Sequence, residues 1–323
     1  MGARGRVKAF LCAWLAIAAW AHPGSASAAS KPAPTQLASL RPAQSTGGVH
    51  PAMWKIVNGK STVYLLGSVH ALPVDFSWHT PTIDQAISAA DSFAFEANLD
   101  FSTAEFHYFI DNYGYLPRGQ TLHGLLSPAA LKQYVALIQN MQIDPNKVDY
   151  LRPGVAVLLL ERAFITTRSF VPLGPGVDAE LVYYAKSHTK ELRYLESLQS
   201  QFDLLTKLGG GTDVAVLEKK LTSHDKGDGE FRELLAAWAR GDLTKLASLD
   251  DTDPKERVLL LDSRNQKWIP KIEAMLDDPR TYFVTVGAMH LTSPNSVISL
   301  LCAKHWNVQR ISTGSGEAAP ACE

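Results

Sequence analysis

Two Gly-x-x-His sequences, at 67–70 and 287–290, contain the residues of this chain best suited to chemistry. Each follows an apolar, alternating stretch that is typical of a buried strand. In open α/β sheets, functional groups collect just past the carboxyl ends of the strands. The sequence therefore predicts that His70 and His290 project from two strand-end loops into one cleft.

The glycines Gly67 and Gly287 give these loops a structural role, because a residue without a Cβ lets the chain leave a strand sharply. Two neutral imidazoles facing one cleft suit a first-row divalent metal. The alternative for either histidine is a hydrogen-bonded structural residue. The repetition of the same context favours the metal interpretation for the pair.

Glu96 follows a third apolar stretch, predicted as a strand over 92–96. Its carboxylate is costly to bury without a partner, and it is expected at the same sheet edge as His70. There it would serve as a metal ligand or as the base that deprotonates a bound water. The alternative is that Glu96 starts a loop and faces solvent.

Three more charged residues are candidates for supporting roles. Asp178 opens a helix, where it could cap the N-terminus or compensate the helix dipole, and it is also a candidate to support the site residues. Glu196 follows a strand over 192–195 and is expected to join the same edge. Arg264 is a permanent cation that could orient a carboxylate or polarise a substrate carbonyl, with simple exposure as the alternative.

Elements around these residues indicate an α/β fold. A hairpin leads into the first Gly-x-x-His, and strand–helix–strand units occur at both ends of the chain, with helices between them. Parallel pairing is expected within each unit. The resulting prediction is a mixed β-sheet of two pseudo-symmetric units with a large helical insert, including one long helix over 254–277.

The 323 residues have a formal net charge of −1, which gives no indication of a nucleic-acid partner. Residues 1–28 have the charged start, apolar stretch and small residues of a cleaved signal peptide, so a periplasmic or secreted protein without a membrane span is expected. A flexible linker is predicted over 29–50, one α/β domain over 51–313 and a disordered tail over 314–323.

Cys302 and Cys322 remain once the predicted signal is removed. In an oxidising compartment they could form a disulfide that ties the tail to the last helix. A buried free Cys302 with a loose Cys322 is the alternative, because pairing depends on geometry.

The sequence resembles the TraB/GumN family, which includes Tiki-like members. The resemblance extends over nearly the whole mature chain and rests on pieces that occur in family order: Trp54-Lys55-Ile56, Leu66-Gly67-Ser68-Val69-His70, Phe95-Glu96, Gly176-Val177-Asp178, Leu195-Glu196-Ser197, Arg264-Asn265-Gln266-Lys267-Trp268 and Val286-Gly287-Ala288-Met289-His290.

This resemblance implies a fold related to the erythromycin-esterase and haem-binding ChaN proteins. Tiki members are divalent-metal-dependent proteases, which implies a metal centre of His70, Glu96 and His290 supported by Arg264. Manganese or cobalt is favoured over zinc. GumN members occur near exopolysaccharide genes.

Three hypotheses follow. The leading one is metal-dependent hydrolysis of amide bonds, in particular peptide bonds, in a peptide or envelope substrate. The second is binding of haem or an envelope ligand without turnover, and the third is metal-independent hydrolysis with a histidine as base. The oligomeric state is left open by the sequence.

Overall fold

The computed structural model describes residues 48–98, 100, 103–167, 172–208, 214–222, 228–250, 252–312 and 322. The predicted signal peptide, most of the predicted linker and the predicted tail, except residue 322, lie outside the described residues.

A mixed sheet of six strands forms the centre of the described chain, in the order β6-β4-β7-β2-β1-β8. A small antiparallel pair, β3 with β5, stands apart from it. The α/β class with a mixed sheet is confirmed. The strands are β1 (Met53–Asn58), β2 (Ser61–Ser68), β3 (Ala71–Pro73), β4 (Ser92–Ala97), β5 (Leu173–Pro175), β6 (Glu191–Glu196), β7 (Thr281–Gly287) and β8 (Val308–Ile311).

The predicted hairpin is formed by β1 and β2, which pair antiparallel from Met53 opposite Leu66 to Asn58 opposite Ser61. Its turn contains Gly59 at a φ of +58°, a conformation that L-residues with a side chain rarely adopt. The Asn58-Gly59 sequence therefore encodes this turn directly.

Strand pairing within the two predicted units differs from the expectation. β2 and β4 are parallel but do not pair, because β7 lies between them and pairs with both. Likewise β7 and β8 are separated by β2 and β1. As a result, the two Gly-x-x-His loops leave neighbouring parallel strands, with Ser68 opposite Gly287.

Helices cover the sheet and fill the middle of the chain. The expected helix over 254–277 is interrupted by a π-helical turn at Val258–Asp262. The α-helices are α1 (Pro81–Ala89), α2 (Ala104–Phe109), α3 (Leu122–Leu125), α4 (Pro128–Asn140), α5 (Pro153–Thr167), α6 (Val177–Ser187), α7 (Leu198–Leu208), α8 (Val214–Thr222), α9 (Asp228–Ala239), α10 (Leu243–Leu249), α11 (Pro254–Arg257), α12 (Ser263–Leu276) and α13 (Val297–Ala303).

The core has three parts. Helices α1, α6 and α9 pack on one face of the sheet, and α12 and α13 pack on the other. Helices α2 to α5, α7 and α8 form a third core, which reaches the carboxyl edge of the sheet at Ala97 and Met289. None of the helices in the described chain has the length and apolar character required to cross a membrane.

A charged contact ties the loop before α1 to α6. The His79 ring lies between two carboxylates, with Nε2 2.8 Å from Glu180 Oε1 and Nδ1 2.5 Å from Asp84 Oδ1. Trp78 donates to the other oxygen of Glu180 at 2.8 Å. The hydrogen bond to Glu180, reinforced by Asp84 and opposed by burial, raises the pKa of His79 to about 9.

We expect this contact to stabilise the fold in a pH-dependent way. The folded pKa of His79 lies above its ordinary value of 6.5, so the stabilisation is complete below that value and is lost as the pH rises through about 9. Thermal unfolding of His79→Gln should show a lower Tm than wild type at about pH 6 and little difference at about pH 10. His188→Gln, at an exposed histidine stacked on Tyr184, is the control. An equal difference at both pH values would contradict the prediction.

Candidate functional site

The carboxylate of Glu96 lies at the end of β4 and is buried, with 8% of the residue exposed. Its Oε1 accepts a hydrogen bond at 2.7 Å from the backbone N–H of Gly287, the last residue of the neighbouring strand β7. Its Oε2 accepts from Nη2 of Arg264 at 2.5 Å. Glu96 therefore does not face solvent, and both of its oxygens are engaged.

Arg264 extends from the start of α12 into the space between three strand ends. Besides Glu96, it binds Oε1 of Glu196 through Nε at 2.7 Å, and its Nη1 lies 3.2 Å from Nε2 of His290. Nη1 also donates to the carbonyl of Leu260, in the π-helical turn, at 3.1 Å. The π-helical turn therefore provides a carbonyl that fixes the side chain of Arg264.

Glu196, at the end of β6, is fixed by three donors. Its Oε1 accepts from Trp268 Nε1 at 2.7 Å as well as from Arg264, and its Oε2 accepts from Gln201 Nε2. The guanidinium of Arg264 also lies over the Trp268 ring, 4.9 Å from its centre. Such a contact attracts a cation to the aromatic face. Two carboxylates thus share one cation.

His290 is fully buried, and its neighbours fix its tautomer. Asn265 Nδ2 donates to the carbonyl of Asn295 at 2.8 Å, which assigns its Oδ1 as the acceptor for His290 Nδ1 at 2.6 Å. The proton of a neutral imidazole is therefore on Nδ1, and the lone pair of Nε2 faces Arg264. Nε2 also lies 3.8 Å from Glu96 Oε1.

The pKa values of both His290 and Glu96 lie below their ordinary values. Burial lowers the pKa of His290 to about 3, with Glu96 opposing this shift and Arg264 adding to it. Burial alone raises the pKa of Glu96, but the charge of Arg264 and the Gly287 N–H bond outweigh it and lower the pKa to about 2. At neutral pH the cluster thus holds a neutral imidazole next to an ionised carboxylate.

His70 lies beside the carboxylate of Asp178, with 3.5 Å between His70 Nδ1 and Asp178 Oδ2. Both side chains are more than nine-tenths buried. His70 belongs to the loop that leaves β2 beside the loop after β7, because Ser68 lies opposite Gly287. The two histidines therefore share one arrangement, an oxygen atom next to Nδ1.

Close backbone contacts hold the two loops. The N–H of Val177 donates to the carbonyl of Val69 at 3.0 Å. A Cβ on Gly176 would lie 2.2 Å from that carbonyl oxygen and 2.3 Å from the carbonyl carbon of His70. A Cβ on Gly67 would meet the Cα of Ala288, in the other loop, at 3.0 Å. Only glycine allows the α6 N-terminus to approach His70 so closely.

The structure thus gathers Glu96, Glu196, Arg264 and His290 in direct contact, and places the His70–Asp178 pair next to them. Gly287 contributes its N–H, which the sequence did not indicate. Four residues without an assigned role also belong to the site: Gly176, Gln201, Asn265 and Trp268. The sequence contained a signal for Asn265, because this polar residue shares the apolar face of α12 with Trp268 and Ile272.

The described chain contains histidine and carboxylate side chains that could bind a metal, but they do not form a metal-binding group. Among the described residues, no group of three or more His, Cys, Asp or Glu side chains is arranged to hold a metal ion. The guanidinium of Arg264 contacts both Glu96 and His290, two of the three expected ligands.

Cys302 and Cys322 are joined as a disulfide, with 5.3 Å between their Cα atoms.

We expect Gly176→Ala to destabilise the fold strongly, because the added Cβ overlaps the backbone at Val69 and His70. Overpacking of this kind costs on the order of 3 kcal/mol. Urea unfolding measures the loss. Gly174→Ala is the matched control, since its Cβ would meet nothing closer than 3.7 Å. Equal stability of the two variants would show that the close approach of Gly176 to Val69 and His70 does not constrain the fold.

Acid should destabilise the fold through His290 before it does so through Glu96. The folded pKa of His290, about 3, is below its ordinary value of 6.5, so its contribution is present above 6.5 and is lost as the pH falls towards 3. Glu96 contributes in the same direction, but only below 4.5.

Between about pH 6.5 and 4.5, the free energy of unfolding should therefore fall by up to about 1.4 kcal/mol per pH unit. His290→Gln should remove this slope in urea unfolding, whereas His107→Gln, at an exposed position on α2, should retain it. An unchanged slope in His290→Gln would show that this histidine is not held neutral.

A model of one protein family matches the chain. No curated protein and no solved structure matches the chain. The model of the TraB/PrgY/gumN family matches residues 52–310, from the start of β1 to the last strand, and this range includes every residue of the cluster. The chain therefore belongs to the TraB/PrgY/gumN family.

Proposed function

We propose that this chain is a divalent-metal-dependent hydrolase of amide bonds, in particular peptide bonds, with its centre at His70, Glu96 and His290. One observation carries the proposal. In each Gly-x-x-His loop an oxygen atom lies near Nδ1 of the histidine. Asn265 Oδ1 is hydrogen-bonded to His290 at 2.6 Å, and the carboxylate oxygen Oδ2 of Asp178 lies 3.5 Å from His70. Histidines that bind metals are usually supported in this way, with the opposite nitrogen left for the ion.

The donor set fits a first-row metal in its chemistry. Two imidazoles and a carboxylate suit manganese or cobalt, and the low pKa of His290 keeps its nitrogen lone pair available. The negative charge of the site also favours a cation, because Glu96 and Glu196 share the single guanidinium of Arg264. A bound metal would supply Lewis-acid activation of a water and of the scissile carbonyl.

The protein's own groups would position and move protons. While it is paired with Arg264, Glu96 has a pKa of about 2, which makes it a weak base. Loosening this ion pair would raise the proton affinity of Glu96 and allow it to take a proton from the attacking water. Arg264, once released, could donate to the oxyanion that develops on the substrate.

The second part of the proposal concerns location and context. The sequence of residues 1–28 supports export through a cleaved signal peptide, and the Cys302–Cys322 disulfide is typical of an oxidising compartment. A peptide or envelope substrate, with a link to exopolysaccharide processes, fits a periplasmic or secreted location. We also propose that the two Gly-x-x-His units are pseudo-symmetric halves of the erythromycin-esterase/ChaN type, since their strands β2 and β7 are parallel neighbours.

Binding of haem without turnover is not favoured by this geometry. His290 has no exposed surface, and its two ring nitrogens contact Asn265 and Arg264. A macrocycle would need an open face on this ring. Titration with haem, followed in the Soret region, is expected to leave the absorbance spectrum of added haem unchanged.

Metal analysis is the decisive test of the hydrolase proposal. Protein purified from the periplasm and supplied with manganese should bind about one ion per chain, while His70→Ala and His290→Ala should lose it. His123→Ala is the matched control, because His123 is an exposed histidine that also has an aspartate at Nδ1, Asp149 at 2.7 Å. Cleavage of a peptide library should follow metal content and stop on chelation.

Variants of the supporting residues sharpen this test. Asn265→Ala and Asp178→Ala should weaken manganese binding by about 10–100-fold, the usual effect of removing a group that orients a metal-binding histidine. Absence of stoichiometric metal from wild type, even with added manganese, would refute the proposal. Peptide cleavage that survives chelation would favour metal-independent hydrolysis instead.

A further inference from the structure

We infer that Arg264 is an internal competitor for the cation, so that a divalent ion at His70, Glu96 and His290 and the observed position of Arg264 exclude one another. The inference rests on the proposed function and deepens it, since it names the residue that would control occupancy of the site. Its basis is the set of atoms that the guanidinium contacts.

The guanidinium uses the atoms that an ion would need. Nη2 takes Oε2 of Glu96 at 2.5 Å, and Nη1 lies 3.2 Å from Nε2 of His290, whose lone pair is the one that a metal would bind. An ion bound to both atoms would therefore stand beside a permanent positive charge. The side chain of Arg264 is only 5% exposed, so little water is present to screen the repulsion.

If Arg264 left Glu96 and His290, it could keep its ion pair with Glu196. Its Nε bond to Glu196 is separate from its bonds to Glu96 and His290, and Glu196 is held independently by Trp268 and Gln201. The guanidinium could therefore leave Glu96 and His290 without losing all of its charge compensation. This matters because an unpaired buried arginine is costly.

A second acceptor beside Glu196 is unused. The amide of Gln201 is fully buried and donates through Nε2 to Glu196, but its Oε1 has no hydrogen-bond partner among the described residues. A buried amide oxygen without a donor is unfavourable. Since Gln201 and Arg264 bind the same carboxylate, Oε1 offers a second position for the Nη groups once they leave Glu96.

The test compares manganese affinity by isothermal titration calorimetry in four proteins. Arg264→Met alone would leave Glu96 and Glu196 uncompensated, so the variant used is the double substitution Arg264→Met with Glu196→Gln. It should bind manganese at least tenfold more tightly than wild type. Gln201→Met, which removes the second position, should bind it more weakly. Arg152→Met, at an exposed arginine over Phe202, is the control and should match wild type.

Equal or weaker binding by the double variant would overturn the inference. If wild type binds no ion but the double variant binds one, competition by Arg264 is supported while the proposed metal dependence of the native protein fails. If no protein binds an ion, both fail.

A measurement on wild type covers the case in which the double variant does not fold. The Nε–Hε resonance of Arg264, assigned by its loss in Arg264→Lys, should shift on saturation with diamagnetic zinc as the guanidinium changes partners. Stoichiometric zinc binding at the site without such a shift would also overturn the inference.

Discussion

The guanidinium of Arg264 joins three strand ends that are far apart in sequence. It binds Glu96 at the end of β4, Glu196 at the end of β6 and His290 in the loop after β7. Without this cation, two carboxylates would be buried with only polar neutral partners, which is among the most unfavourable states in a protein interior. The burial of both carboxylates therefore depends on this contact.

The sheet makes that contact possible. Because β7 lies between β4 and β2, the carboxylate of Glu96 reaches the N–H of Gly287, and the loop with His70 starts beside the loop with His290. Glycines then permit backbone contacts too close for a side chain, Gly67 against Ala288 and Gly176 against His70. Arg264 supplies the charge, whereas the backbone sets the distances.

The cluster combines a neutral imidazole with an ionised carboxylate. The neutral, enclosed imidazole of His290 turns its lone pair towards Arg264, and an ionised carboxylate oxygen of Glu96 lies 3.8 Å from the same nitrogen. Both groups could bind a cation or accept a proton. The only cation in direct contact with both groups among the described residues is a side chain of the protein itself. The range matched by the TraB/PrgY/gumN family model, residues 52–310, includes every residue of the cluster.

Local patterns in the sequence indicated the elements and the candidate side chains. The alternation in β2 and β7, the turn at Gly59 and the helical periodicities depend on neighbours a few residues away, so spacing alone reveals them. The same patterns put Glu96, Glu196 and His290 after strands. That is why the predicted residues meet at one edge of the sheet.

Tertiary structure alone decided which of these residues touch. The Arg264–Glu96 contact joins residues 168 positions apart, and the Gly287–Glu96 bond joins residues 191 positions apart. Insertion of β7 between β2 and β4 is equally non-local, and so is the contact between Asn265 and His290. The sequence by itself determined which groups could do chemistry and where strands and helices form. Their partners were decided by long-range packing, because no short-range spacing encodes contacts between distant segments.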